Sequence, residues 1–121
     1  MLNVIAVGAG GFIGAVFRYL IGLVPVNETM IFPIKTFTIN IIGCILIGVI
    51  VVALNRNVSL SSQAILFMKV GVCGGFTTFS TFALETCDLI KEGHIGIAFL
   101  YVILSVFAGI GVIFAMEVLE V

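Results

Sequence analysis

Residues 74–82 read Gly-Gly-Phe-Thr-Thr-Phe-Ser-Thr-Phe. Four hydroxyls, on Thr77, Thr78, Ser80 and Thr81, are set among Phe76, Phe79 and Phe82 directly after a glycine pair. A hydroxyl can donate a hydrogen bond to an anion. A phenyl ring is positive at its edge and negative on its face, so a ring turned edge-on can meet a small anion that has shed water. The phenylalanines recur every third residue and fall near one face of a helix. Gly74-Gly75 is a place for a helix to break. The first half would then end in free carbonyls, which suit a cation. The second would begin with free N–H groups and a positive dipole end, which suit an anion. On the residues alone a second reading stays open, in which the hydroxyls satisfy local carbonyls and the rings only pack.

Other polar residues fall at helical spacing elsewhere. Thr36 and Asn40 lie at i and i+4 and share a face, whereas Thr38 does not lie on it. An amide in lipid needs a partner, so Asn40 is either interhelical glue or a donor to something that passes. Tyr101 and Ser105, again at i and i+4, put two hydroxyls on one face. Arg18 stands well inside an apolar run. It must snorkel to an interface, find a partner or face a water-filled vestibule.

The elements that hold these residues are membrane spans. Of 121 residues, 62% are hydrophobic and only 9% charged, against about a quarter charged in soluble domains. A spanning helix needs roughly 20 apolar residues, so the length accommodates four spans in a single domain over 1–121 and no soluble catalytic domain. The runs are residues 2–24, 34–54, 63–88 and 95–116. The first lacks a basic n-region and an A-x-A-like cleavage site, and reads as a retained span. Gly10 and Gly14 give G-x-x-x-G, which permits close helix approach. Ile13 stands where a dinucleotide-binding G-x-G-x-x-G needs its third glycine. Gly43 and Gly48 also point to tight packing. Lys69, near the start of the third run, is placed to snorkel.

Several function classes drop out. Net charge is −1, so nothing suggests nucleic acid. Cys44, Cys73 and Cys87 show no C-x-x-C spacing and read as small buried hydrophobes. His94 has no Cys or carboxylate at ligand spacing. No catalytic constellation is present, and an enzyme is not expected. The acidic residues sit near run ends or in connectors. That argues against a small multidrug-type transporter, which needs a mid-span carboxylate for proton exchange, and against a cation pore built on carboxylate rings. A non-conducting membrane assembly subunit would need no polar track across three spans. What remains favours passage of a small anion.

With four spans, both termini share a side. Arg56 falls on that side and Lys69 nearer to it. Lys35 and Lys91 fall on the other, with Arg18 nearer. The positive-inside bias is close to nil, which suits insertion in both orientations and pairing with an inverted copy.

Three stretches together resemble the CrcB/Fluc fluoride channels: Gly-Gly-Phe-Ile-Gly-Ala-Val-Phe-Arg-Tyr (10–19), Thr-Phe-Thr-Ile-Asn-Ile-Ile-Gly (36–43) and Gly-Val-Cys-Gly-Gly-Phe-Thr-Thr-Phe-Ser-Thr-Phe-Ala-Leu-Glu (71–85). The resemblance covers essentially the whole chain, and its third motif is highly specific. It implies an all-α membrane protein of four helices with the third broken near its middle. It also implies an antiparallel dual-topology homodimer with two fluoride pathways in the prokaryotic plasma membrane. Phe79 and Phe82 would meet the anion edge-on, Asn40 would donate from the second span with Thr38 close by, and Ser80, Thr81, Tyr101 and Ser105 would supply a hydroxyl track. Gly74 and Thr77 would give backbone carbonyls to a structural sodium ion at the dimer interface. Arg18 would stand near the aqueous vestibule. The pattern gives Lys69 no role.

Overall fold

The computed structural model describes residues 1–120. It is all-helical, with helices Leu2–Gly22 (α1), Ile34–Asn55 (α2), Ser62–Ile65 (α3), Gly74–Phe76 (α4), Phe79–Lys91 (α5) and Ile95–Leu119 (α6), and a π-helical segment Leu66–Cys73 between α3 and α4. Segments α3 to α5 form one span, Ser62–Lys91, so the chain has four helical spans as expected. Only 11% to 22% of the residues in each span's most apolar window are buried. Most apolar side chains therefore face outward, the arrangement of a multi-pass membrane protein whose solvent is lipid.

The spans end where local chemistry stops them. Pro25 follows α1, and a proline disfavours helical backbone in the residue before it. Gly93 sits at φ +87 just past α5. There the Gly93 N–H donates to the Ile90 carbonyl (3.1 Å) and the His94 N–H to the Leu89 carbonyl (2.8 Å), a Schellman closure that needs a left-handed residue. Asn57, at φ 61, does the same after α2, with the Val58 N–H donating to the Ala53 carbonyl at 3.2 Å.

Glycine governs the packing of the first and third spans. A Cβ on Gly71 would stand 2.8 Å from the Gly10 Cα, and one on Gly75 would stand 2.5 Å from the Gly11 carbonyl oxygen. A Cβ on Gly10 or Gly14 would collide with the Phe67 or Val72 carbonyl. The expected small-residue seam is thus present, and the third span supplies its own half through Gly71 and Gly75. Gly48 lies against Met116, and Gly43 leaves room for the Thr77 methyl. The buried apolar residues are few, among them Ile39, Phe76, Leu89, Ala98 and the fully buried Tyr101. The cysteines are free, but only Cys73 is buried. Cys44 is half-buried and Cys87 is exposed, so burial does not extend to Cys87, whose position on α5 faces away from the other helices.

Candidate functional site

The break in the third span lies at Thr77 (φ −81, ψ 159) and Thr78 (φ −150, ψ 111), both extended. Gly74 and Gly75, where the glycine pair places it by sequence, are helical. Backbone freed from a helix inside a membrane must be satisfied by protein, and the Thr78 side chain does this for the Thr81 N–H. Thr77 Oγ1 donates to the Cys73 carbonyl at 2.9 Å. Thr78 Oγ1 accepts from the Thr81 N–H at 3.2 Å and donates to Thr81 Oγ1 at 3.0 Å, making Thr78 the N-cap of α5.

Asn40 completes the break from α2. Its Oδ1 accepts from the Thr78 N–H at 2.9 Å, and its Nδ2 donates to the Thr78 carbonyl at 3.2 Å. Since the peptide N–H can only donate, the orientation of the amide is set by this pair. Asn40 is therefore an interhelical tie that holds one residue by both of its backbone groups, in two successive peptides. One Nδ2 hydrogen remains outside this pair, on a residue that lines a groove.

These bonds decide which carbonyls at the end of α4 lose a partner. In an unbroken helix the Gly74 carbonyl takes the N–H of Thr78, and the Thr77 carbonyl that of Thr81. Here the Thr78 N–H goes to Asn40 and the Thr81 N–H to the Thr78 hydroxyl. Arg18 takes the carbonyl between them, its Nε donating to the Gly75 oxygen at 3.2 Å. Arg18 has thus found a partner and does not depend on snorkelling. A cation at a helix C-terminal end also complements the dipole there.

The remaining candidates divide between two concave surfaces. A groove of about 430 Å³ runs along the chain between α2, α6 and the third span, lined by Asn40, Gly74, Thr77, Thr78, Phe79, Phe82 and Ser105, and by Lys69. Ser105 Oγ is buried there without a hydrogen-bond partner. Phe82 packs against Tyr101 with ring centroids 5.0 Å apart and against Phe79 at 5.7 Å. Phe79 itself is 79% exposed, so the groove is open along the phenylalanine side. The second surface, of about 550 Å³, brings Arg18, Lys35 and Thr36 together with Thr78, Thr81 and Glu85. Lys35 Nζ also donates to the Gly22 carbonyl at 2.7 Å, closing the end of α1.

Three candidates, Thr38, Ser80 and Tyr101, line neither surface. Thr38 is exposed. Ser80 is exposed and touches the hydroxyl cluster only through a 3.4 Å contact with Thr78 Oγ1. Tyr101 is buried, its ring also edge-on to Phe32, and its hydroxyl donates to Glu85 Oε1 at 3.3 Å. Sequence reasoning left Glu85 aside as a residue near a run end. Helix α5 continues to Lys91, so Glu85 stands well inside the span. Its place three residues after Phe82 on the same helix face was the available signal.

Among the described residues, no group of three His, Cys, Asp or Glu side chains could hold a metal ion.

The chain is similar to known proteins along nearly its whole length. The profile of the family described as "CrcB-like protein, Camphor Resistance (CrcB)" matches residues 5–116. A protein of Chlorobaculum tepidum named fluoride-specific ion channel FluC is 46% identical over 116 residues, covering 95% of this chain and 91% of the relative. A protein of the same name from Agrobacterium fabrum is 40% identical, covering 95% of this chain and 93% of its own length. Another, from Flavobacterium psychrophilum, is 41% identical, covering 97% and 99%. With four spans, a break pinned from the second of them and matches along nearly its whole length, the chain belongs to the CrcB family.

Proposed function

We propose that this chain is a fluoride-selective passive channel, not an enzyme, which exports fluoride from the cytoplasm and confers fluoride resistance. The observation that carries the reading is the groove in which Phe79, Phe82, the Asn40 amide and the unpartnered Ser105 hydroxyl converge beside a pinned helix break. Neutral donors and ring edges suit a compact anion that sheds part of its water. The name fluoride-specific ion channel, carried by relatives 40% to 46% identical, supplies the ion. Fluoride enters an acidified cell as neutral HF, ionises and is trapped. A negative-inside potential then drives the anion outward with about 2.3 kcal/mol per charge per 100 mV. No coupling module is needed.

The channel is an antiparallel homodimer of inverted copies in this reading. The groove is open, and the 79% exposed Phe79 ring lies on its open side. A second copy related by a two-fold axis through the break closes both grooves at once. The Gly74 and Thr77 carbonyls, with their helical donors drawn away, fit a sodium ion shared between the copies. Such an ion supplies a fixed positive charge between the two breaks. A C-terminal tag accessible from both faces of the membrane supports the inverted pairing, and a tag confined to one face refutes it.

The test of function is fluoride efflux from liposomes containing purified protein, read with a fluoride electrode. Rapid release of fluoride with chloride retained is expected. Release no faster than from empty vesicles overturns the proposal.

A further inference from the structure

Lys69 is the one charged side chain among the residues that line the groove. The resemblance gives it no role, and its side chain is exposed along the groove. It lies in the π-helical segment Leu66–Cys73, seven residues after the start of the span at Ser62, or about 10 Å along the axis. The glycine seam sets the rotation of this segment. Phe67, Gly71 and Val72 meet α1 through Gly10 and Gly14, so Lys69, two residues from both Phe67 and Gly71, is turned away from α1. On that side it joins Ile47 of α2 and Ile113 of α6 in the groove wall. Among the described residues the ion pairs are Arg56 with Glu120 and Lys91 with Asp88, and Lys69 has no carboxylate partner.

An ammonium this deep in a span is stable only where water, a partner or an ion reaches it. The same groove carries neutral donors farther along, on Asn40 and Ser105. It is therefore graded, with a full positive charge in one part and uncharged donors in another.

We propose that Lys69 is a rate- and affinity-setting residue of the pathway. It attracts the small anion into the groove and repels cations from it, before the anion reaches the neutral donors. This rests on the channel reading above. A focused positive charge raises the local concentration of an anion and its entry rate, and salt screens that effect.

The experiment compares wild type, Lys69→Gln, Lys69→Met and Lys69→Arg in liposomes, each first checked for an unchanged elution volume in detergent. Initial fluoride efflux is measured at low and at saturating internal fluoride, and at low and high ionic strength. Both neutral variants are expected to lose roughly tenfold of the efflux at low fluoride and low salt. The loss should shrink at saturating fluoride and at high salt, while Lys69→Arg stays close to wild type. A residue that served packing alone would not alter the salt dependence. Neutral variants with the flux and salt dependence of wild type overturn the inference and leave the channel reading intact. So does a Lys69→Arg protein as slow as the neutral variants. Wild-type vesicles that retain their fluoride overturn the channel reading, and the role of Lys69 with it.

Discussion

Asn40→Ala removes both bonds that hold the Thr78 backbone. They are 2.9 Å and 3.2 Å long and come from a residue 38 positions away. Among the described residues no other side chain bonds the Thr78 N–H or C=O. An intramolecular hydrogen bond contributes about 0.5 to 1.5 kcal/mol net, and a buried group left unpaired costs about 1 to 3 kcal/mol. Thr78 is half-buried and water can reach part of the site, so the lower ends apply, giving about 2 kcal/mol in all. That is roughly a thirtyfold shift in the ratio of pinned to unpinned break. Two measurements follow. Hydrogen exchange over residues 77–82 should accelerate, and fluoride efflux from liposomes should fall steeply while the four spans remain folded. Asn40→Asp is a useful companion, since it keeps the acceptor for the Thr78 N–H, loses the donor to the carbonyl and places a negative charge beside the groove. It should conduct poorly even if its exchange is partly protected. Wild-type exchange together with wild-type efflux in Asn40→Ala would show that the amide does not hold the break.

Replacing Phe79 and Phe82 together by isoleucine keeps bulk and removes the ring edges, and is expected to abolish efflux while the elution volume of the assembly stays unchanged. Full flux would contradict the role of the rings. Gly75→Ala drives a methyl against the Gly11 backbone, a clash that costs about 1 to 3 kcal/mol. Its melting temperature in detergent should drop, whereas Gly111→Ala, with nothing within 4 Å of the new methyl, should melt like wild type. Tyr101→Phe keeps the buried ring against Phe32 and Phe82 and deletes the hydroxyl on Glu85. Slower efflux with little change in melting is expected, and unchanged efflux would remove Tyr101 from the hydroxyl track.

The legible parts of this molecule in its sequence were those governed by local chemistry. Four apolar runs bounded by Pro25, Pro33 and Gly93 mark the spans to within a few residues, because hydropathy and helix stops act locally. Gly10 and Gly14 announce close packing, since a G-x-x-x-G pattern has few other uses in lipid. The position of the break was not legible. Local propensity favours Gly74-Gly75, but the outcome depends on Asn40 reaching Thr78 from another helix. Of the pair, Gly75 is used elsewhere, against Gly11 and under Arg18. The Glu85–Tyr101 bond joins residues 16 apart on two helices. The π-helical turn of Lys69 has no residue signature at all. At the break, a tertiary contact overrides the local preference.

The clamp also separates two opposite chemistries by a single residue. Asn40 occupies both the N–H and the C=O of Thr78, so neither group of that residue is left as a ligand. On its N-terminal side stand carbonyls whose helical donors have been drawn away. On its C-terminal side stand the Thr78–Thr81 hydroxyl pair and the start of α5. A helix interrupted without such a clamp would leave donors and acceptors together, where they would bond each other or water. Holding Thr78 at both backbone groups fixes the break in one conformation, with the Gly74 and Thr77 carbonyls before it and the Phe79–Phe82 turn after it.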